Sequence, residues 1–201
     1  MSSKYRRKKG IRTLRKTIVI AVEGQKDEVQ YFEALRAHLN HHCKLVIARA
    51  QERHDPSPMG TFRRLHAEVH KNRRYHPGHD QFWMVVDRDR YHRQGSLQQA
   101  VTHCIEAGYQ MAVSNPSFDL WLVFHFENPT RAMPKSIKKY RKHLMDQAQI
   151  HDFSGLMQRL NTAMAHARAT DNGRDPWPQQ PGSHVYKLVE SLVVNPKSMP
   201  A

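Results

Sequence analysis

An α/β fold, with a mostly parallel sheet, flanking helices and a helical C-terminal part, follows from three observations on the 201-residue chain. Short apolar, β-branched runs alternate with segments of helical period. The runs are continuously apolar, as strands covered on both faces are. Two of them end on acids: Glu23 closes TIVIAVEG, and Asp87 and Asp89 close FWMVVDRD. Ligands of open α/β sheets gather outside the carboxyl ends of the strands, so acids ending two buried runs are expected to share one crevice.

Thr17–Val22 is β-branched and apolar and predicts the first strand. Asp27 to Leu39 follows as a helix, with Val29, Phe32, Leu35 and Leu39 at helical spacing. Lys44 to Ala48 (KLVIA) reads as a second strand; HDPSPMG is a loop, and a helix runs from about Phe62 to Arg73 with Phe62, Leu65 and Val69 inward. Phe82 to Val86 is the third strand, and Ser96 caps a helix that continues to Ala107 before Gly108 ends it. Gln110 to Val113 is a short fourth strand, broken by Asn115-Pro116 ahead of the amphipathic segment SFDLWLVFHF. Helices are expected over Pro134 to Ala148, Phe153 to Ala169 and Val185 to Val193, the last preceded by the loop NGRDPWPQQPGS. The expected organisation is a basic flexible tail (1–16), an α/β core (17–128) and a helical extension packing on it (129–201).

Charge narrows the choice of partner. The chain carries a net +14 with a pI near 10.1, while its chemistry-bearing motifs are acidic; a polyanion reconciled to those acids by a cation fits both facts, and nucleic acid leads. Lys4 to Lys16 holds eight Lys and Arg and no acid, leaving +6 for the body. That tail, with Lys4, Arg6, Arg7, Lys8 and Lys9, is either a solubilising terminus or an arm that contacts phosphates. The run KSIKKYRKH presents the same alternative: a solvated face, or phosphate contacts from Lys138, Arg141 and Lys142. Cys43 and Cys104 form no CxxC pair and are read as buried, reduced thiols. No apolar run reaches the roughly 20 residues of a membrane helix, so the expected location is cytoplasmic and no membrane is implicated.

Glycine at Gly24 lets the backbone turn sharply after Glu23 and lets a ligand approach. In Asp87-Arg88-Asp89, alternate residues of an extended segment point the same way, and two close carboxylates repel unless a cation or proton lies between them. Magnesium, or manganese, suits such oxygen donors. Helix caps and surface turns use the same residues. No histidine shows HExxH-type spacing, so a zinc enzyme is not indicated. His125, among Trp121, Phe124 and Phe126, sits where histidines are more often hydrogen-bonded core residues than ligands, whereas Asn115 at a strand end suits a site better.

EGQKDEVQYF (23–32), VVDRD and SNPSFDLWLVFHF (114–126), with the closing GSHVYKLVESLV, resemble the RloB/AbiLii family, whose members carry a Toprim-like (Rossmann-like) catalytic domain related to those of OLD-type nucleases. The resemblance spans most of the chain from Thr17 to the final helix. It implies that Glu23 is the general acid/base and that Asp87 and Asp89 hold divalent metal, magnesium or manganese, with Gly24 as the turn glycine. Glu28, Tyr31 and Phe32 match the family's first helix, and Asn115, Pro116, Phe118, Trp121 and His125 match its NP-x-F-E-x-W-x-x-x-H segment. Asp27 stands where the family commonly has threonine, and Asp119 where it has glutamate, which shortens that carboxylate's reach toward a metal.

The resulting expectation is a metal-dependent phosphodiester nuclease, with metal on Asp87 and Asp89 and with Glu23 or Asp119 as further ligand. The resemblance adds an anti-phage or restriction-associated setting, including abortive infection, and an ATPase partner that controls cleavage. A homo-oligomer is open. The rival is a nucleic-acid- or partner-binding subunit with a degenerate site. A topoisomerase- or primase-like enzyme ranks last, for want of a companion domain.

Overall fold

The structure, a computed structural model, describes residues 15–39, 43–49, 55–72, 74–88 and 95–193. Its elements are β1 (Lys16–Val22), α1 (Asp27–Ala37), β2 (Cys43–Ile47), α2 (Pro58–Lys71), β3 (Gln81–Asp87), α3 (Ser96–Glu106), β4 (Gln110–Asn115), α4 (Phe118–Val123), α5 (Ile137–Gln147), a 3-10 helix (Phe153–Arg159), α6 (Leu160–Arg168), β5 (Gly182–Ser183) and α7 (Val185–Val193). The chain is thus α/β, on a five-stranded sheet of order β2-β1-β3-β4-β5. All pairs are parallel except β4 with β5.

Both faces of the sheet are covered, which explains the unbroken apolar runs. In β1, Ile18, Ile20 and Val22 pack into one core with α1, α4, α6 and α7, and Val19 and Ala21 into the other with α2 and α3. β3 divides alike, Trp83 and Val85 to the first core, Phe82, Met84 and Val86 to the second. The first core holds the bulkiest buried side chains, among them Trp121, Tyr31, Phe32 and Phe124. Each contributes roughly 1.5–3 kcal/mol by leaving water. Cys43 and Cys104 are free and buried. Among the described residues no helix is long and apolar enough to cross a membrane.

Several boundaries shift for local reasons. α2 begins at Pro58, four residues before the expected start, because Ser57 accepts a hydrogen bond from the Gly60 amide and a proline suits the first helical turn. Phe153–Ala169 divides into the 3-10 helix, capped by Asp152, and α6. β4 reaches Asn115 because Ser114 and Asn115 pair with the two-residue β5, a strand too short to leave a sequence pattern. The C-terminal part therefore adds a strand to the sheet besides packing helices on it.

Chain order sets the position of the site. β1 lies between β2 and β3, with α1 on one face and α2 and α3 on the other. Successive connections diverge between β1 and β3, and at such a switch point their carboxyl ends open a crevice. Glu23 and Asp87 stand there.

Candidate active site

The ends of β1 and β3 are joined through Glu23. Its backbone N–H donates to the Val85 carbonyl at 2.9 Å, continuing the parallel ladder by one residue. Its Oε2 then accepts from the Asp87 N–H at 2.9 Å, so the side chain takes over the ladder as the main chain turns away. The turn is Gly24, where a Cβ would fall inside the Glu28 carboxylate. Glycine there leaves the space that the Glu28 carboxylate occupies; a side chain at this position would displace that flexible carboxylate.

Asp87 points into the crevice. Its Oδ1 accepts from the Phe118 N–H at 2.7 Å, the first residue of α4. Burial pushes the Asp87 carboxyl well above its ordinary range, and the charges of Glu23, Glu28 and Asp119 push it further. Glu28 is also raised, by burial first and then by Asp27 and Asp119, against backbone hydrogen bonds from Glu28 itself and Gly24. Burial raises Asp119 too, while Arg141, Lys138 and Lys142 pull it down. These neighbouring carboxyls are raised although Arg141 stands 3.1 Å from Asp119 and Arg64 lies within reach of the Glu23 charge, and perturbed acids gathered in a recess mark a candidate site.

A pocket of about 690 Å³ receives these groups. Glu23, Glu28, Asp87 and Asp119 form its acidic side, and the starts of α1, α4 and α5 meet there. Lys26, Lys135 and Lys138 also line it, all exposed.

The donor set fits a hard divalent ion in its chemistry: carboxylates only, mutually repelling, at a sheet switch point. It is not pre-assembled. Among the described residues no three His, Cys, Asp or Glu side chains stand grouped to hold an ion as they are. Asp89, the second aspartate of the pair, lies outside the described residues, as do Lys4, Arg6, Arg7, Lys8 and Lys9.

RloB-like proteins are the family whose model matches residues 18–192. The chain belongs to that family. No curated protein and no solved structure matches it.

Other expected site residues of this RloB-like chain take different positions. Arg141 is not a surface phosphate contact: its side chain is 6% exposed, with Nη1 2.9 Å from Asp27 Oδ2 and Nε 3.1 Å from Asp119 Oδ1. Helical period explains it, because α5 turns Arg141 inward and leaves Lys138 and Lys142 outside. His125 is a core residue. Its Nδ1 donates to the Trp121 carbonyl at 3.1 Å, so Nε2 accepts from the Tyr31 hydroxyl at 3.2 Å. Burial lowers its pKa to about 4, which keeps it neutral. It supports the site only by tying α1 to α4.

Asn115 acts from behind the pocket. Its Nδ2 donates to the carbonyls of Pro178, Gln179 and Gln180 at 3.0–3.2 Å. Arg88 donates to two of the same carbonyls, so the residue between the two aspartates faces this loop while Asp87 faces the crevice. Sequence reasoning missed Lys26 and Lys135 as pocket residues. The signal was present: Lys26 lies three residues after Glu23, and Lys135 opens the KSIKKYRKH run.

Proposed function

We propose that this RloB-like protein is a metal-dependent phosphodiester nuclease acting on DNA or RNA. One observation carries the reading: two acidic residues 64 positions apart meet at the switch point, where the Asp87 backbone N–H donates to the Glu23 carboxylate, and both line a pocket shared with lysines. Acids inside and cations around them suit a phosphodiester that approaches together with a metal ion. A magnesium or manganese ion on Asp87 and Asp89, with Glu23 or Asp119 as a further ligand, would neutralise a non-bridging phosphate oxygen and orient the attacking water. Glu23 handles the proton at its carboxylate; its hydrogen bond from the Asp87 amide fixes the group's direction. Lys26, Lys135 and Lys138 bind phosphate oxygens and carry no base specificity. The setting is phage defence, the location cytoplasmic, and an ATPase partner controls cleavage.

The test is cleavage by the full chain together with that partner in magnesium or manganese. Glu23→Gln should lose a factor on the order of a hundred or more in turnover with nucleic-acid binding retained. Asp87→Asn should lose activity that excess metal partly restores. Equal cleavage by Glu23→Gln and wild type would overturn the assignment.

A further inference from the structure

The pocket is chemically divided. Besides its acids and lysines it has an apolar part, formed by Met133, Pro134 and Ile137 on the approach to α5 and by Pro116 after β4. Lys135 and Lys138 line it, and Lys142 follows Lys138 one turn later, about 6 Å along the axis. These three lysines are exposed while Arg141 is buried, so Lys135 just before α5 and Lys138 and Lys142 on it form an outward basic row that begins in the pocket, with exposed Lys139 beside it. The charges of Lys138 and Lys142 both lower the Asp119 carboxyl, which places the row against the acids electrostatically as well as in sequence.

We propose that this pocket binds single-stranded nucleic acid, one nucleotide entering the recess with its base on the apolar part while Lys135, Lys138 and Lys142 hold successive phosphates of the strand. The inference rests on the nuclease reading for the direction of the strand toward Glu23 and Asp87. Two physical points lead to it. A pocket of about 690 Å³ falls among those of roughly 300–1,000 Å³ that enclose a small molecule, so it takes in one nucleotide with its base, and a base is free to enter only where it is unstacked, as in a single strand. A row of lysines that can track a backbone, beside an apolar surface for unstacked bases, parallels the basic grooves and aromatic platforms that hold single strands without regard to sequence, with aliphatic and proline side chains in place of the aromatic ones. DNA and RNA share this chemistry.

The test is fluorescence anisotropy with the full-length Glu23→Gln protein and labelled oligonucleotides of one sequence, as single-stranded DNA, single-stranded RNA and the two corresponding duplexes. At least one single strand should bind tenfold or more tightly than its duplex, and the tighter arm names the nucleic acid. Adding Lys135→Glu and Lys138→Glu, both at exposed positions, should weaken single-strand binding at least tenfold and flatten the slope of log K against log salt by about 1.4 for two lost phosphate contacts. Met133→Glu should weaken the single strand and leave the duplex unchanged. Duplex binding as tight as either single strand, or lysine and Met133 variants that bind like their parent, would overturn the proposal. Turnover plays no part in these readouts. Single-strand binding by a protein that never cleaves would defeat the nuclease reading alone, and duplex-preferring binding by a protein that cleaves would defeat this one alone.

Discussion

Two aspartates, Asp87 and Asp171, are both shielded from water, and their surroundings treat them in opposite ways. Asp171, whose side chain is 6% exposed, collects the Lys187 ammonium at 2.7 Å, the Tyr186 hydroxyl at 2.6 Å, the Gly173 N–H at 2.9 Å and His184 Nε2 at 3.3 Å. Burial works to raise its pKa, but the bonds from Lys187, Tyr186 and Gly173 prevail and hold it well below the usual carboxylate range. Asp87 receives one backbone N–H and otherwise faces acids, and its carboxyl is driven up. A carboxylate surrounded by donors fastens the chain, here the 171–173 turn to α7. One surrounded by its own charge does not, and under the proposed function it is the group that a ligand bringing positive charge would stabilise.

The comparison is sharpened most by removing each charge in turn. Asp171→Asn takes the anion from an ammonium and a hydroxyl and should cost about 2–3 kcal/mol, lowering Tm by about 5–10 °C in a chain of this size; differential scanning calorimetry reads it. Arg141→Met should follow at about 1–2 kcal/mol, since it leaves Asp27 and Asp119 without their cation and loosens α5 from α1 and α4. Arg141→Lys should restore only part, because one ammonium cannot reproduce the fork that spans both carboxylates.

Smallest and most telling is Asp87→Asn, which should match or exceed wild-type stability at neutral pH by up to about 1 kcal/mol. The amide keeps an oxygen for the Phe118 N–H and relieves the repulsion. pH separates the two sites by sign. Asp171, depressed in the fold, stabilises above the unfolded value of about 3.9, and that contribution is lost as pH falls through its folded pKa. Asp87, raised in the fold, favours the native state while protonated; stability declines as pH rises from about 4 through its folded pKa. Urea melts at acid and neutral pH should show Asp171→Asn losing the first dependence and Asp87→Asn the second. Identical pH profiles for both variants would dissolve the distinction.

What was legible beforehand follows the same division. Strands buried on both faces announce themselves as apolar runs, so β1 and β3 and the acids at their ends were readable, as was α7 to the residue. Burial of a polar side chain leaves no such mark. Arg141 and Lys138 look alike in a basic run, and only the packing of α5 against Asp27 and Asp119 separates them. His125 carried a usable sign, its apolar neighbours, and the core position agrees with it. β5 consists of two residues held by pairing with Ser114 and Asn115 and by the Ser114–Ser183 hydroxyl contact, while Asn115 and Arg88 hold the loop before it, all long-range, so nothing local specified it. Asp171, the better satisfied acid of this comparison, has no mark in the sequence because three of its four partners, His184, Tyr186 and Lys187, lie 13 to 16 residues further along the chain.

The central claim, that the Glu23–Asp87 pocket is built for a divalent cation, is tested most directly by thermal unfolding of wild type, Asp87→Asn and Asp171→Asn over a magnesium or manganese titration. Wild type and Asp171→Asn should both gain stability, by about 1.4 kcal/mol for each tenfold rise in free metal above Kd, from their different starting points. Asp87→Asn should stay flat over the range in which wild type responds, and gain stability only at higher metal. A metal response in Asp87→Asn equal to that of wild type would contradict the account.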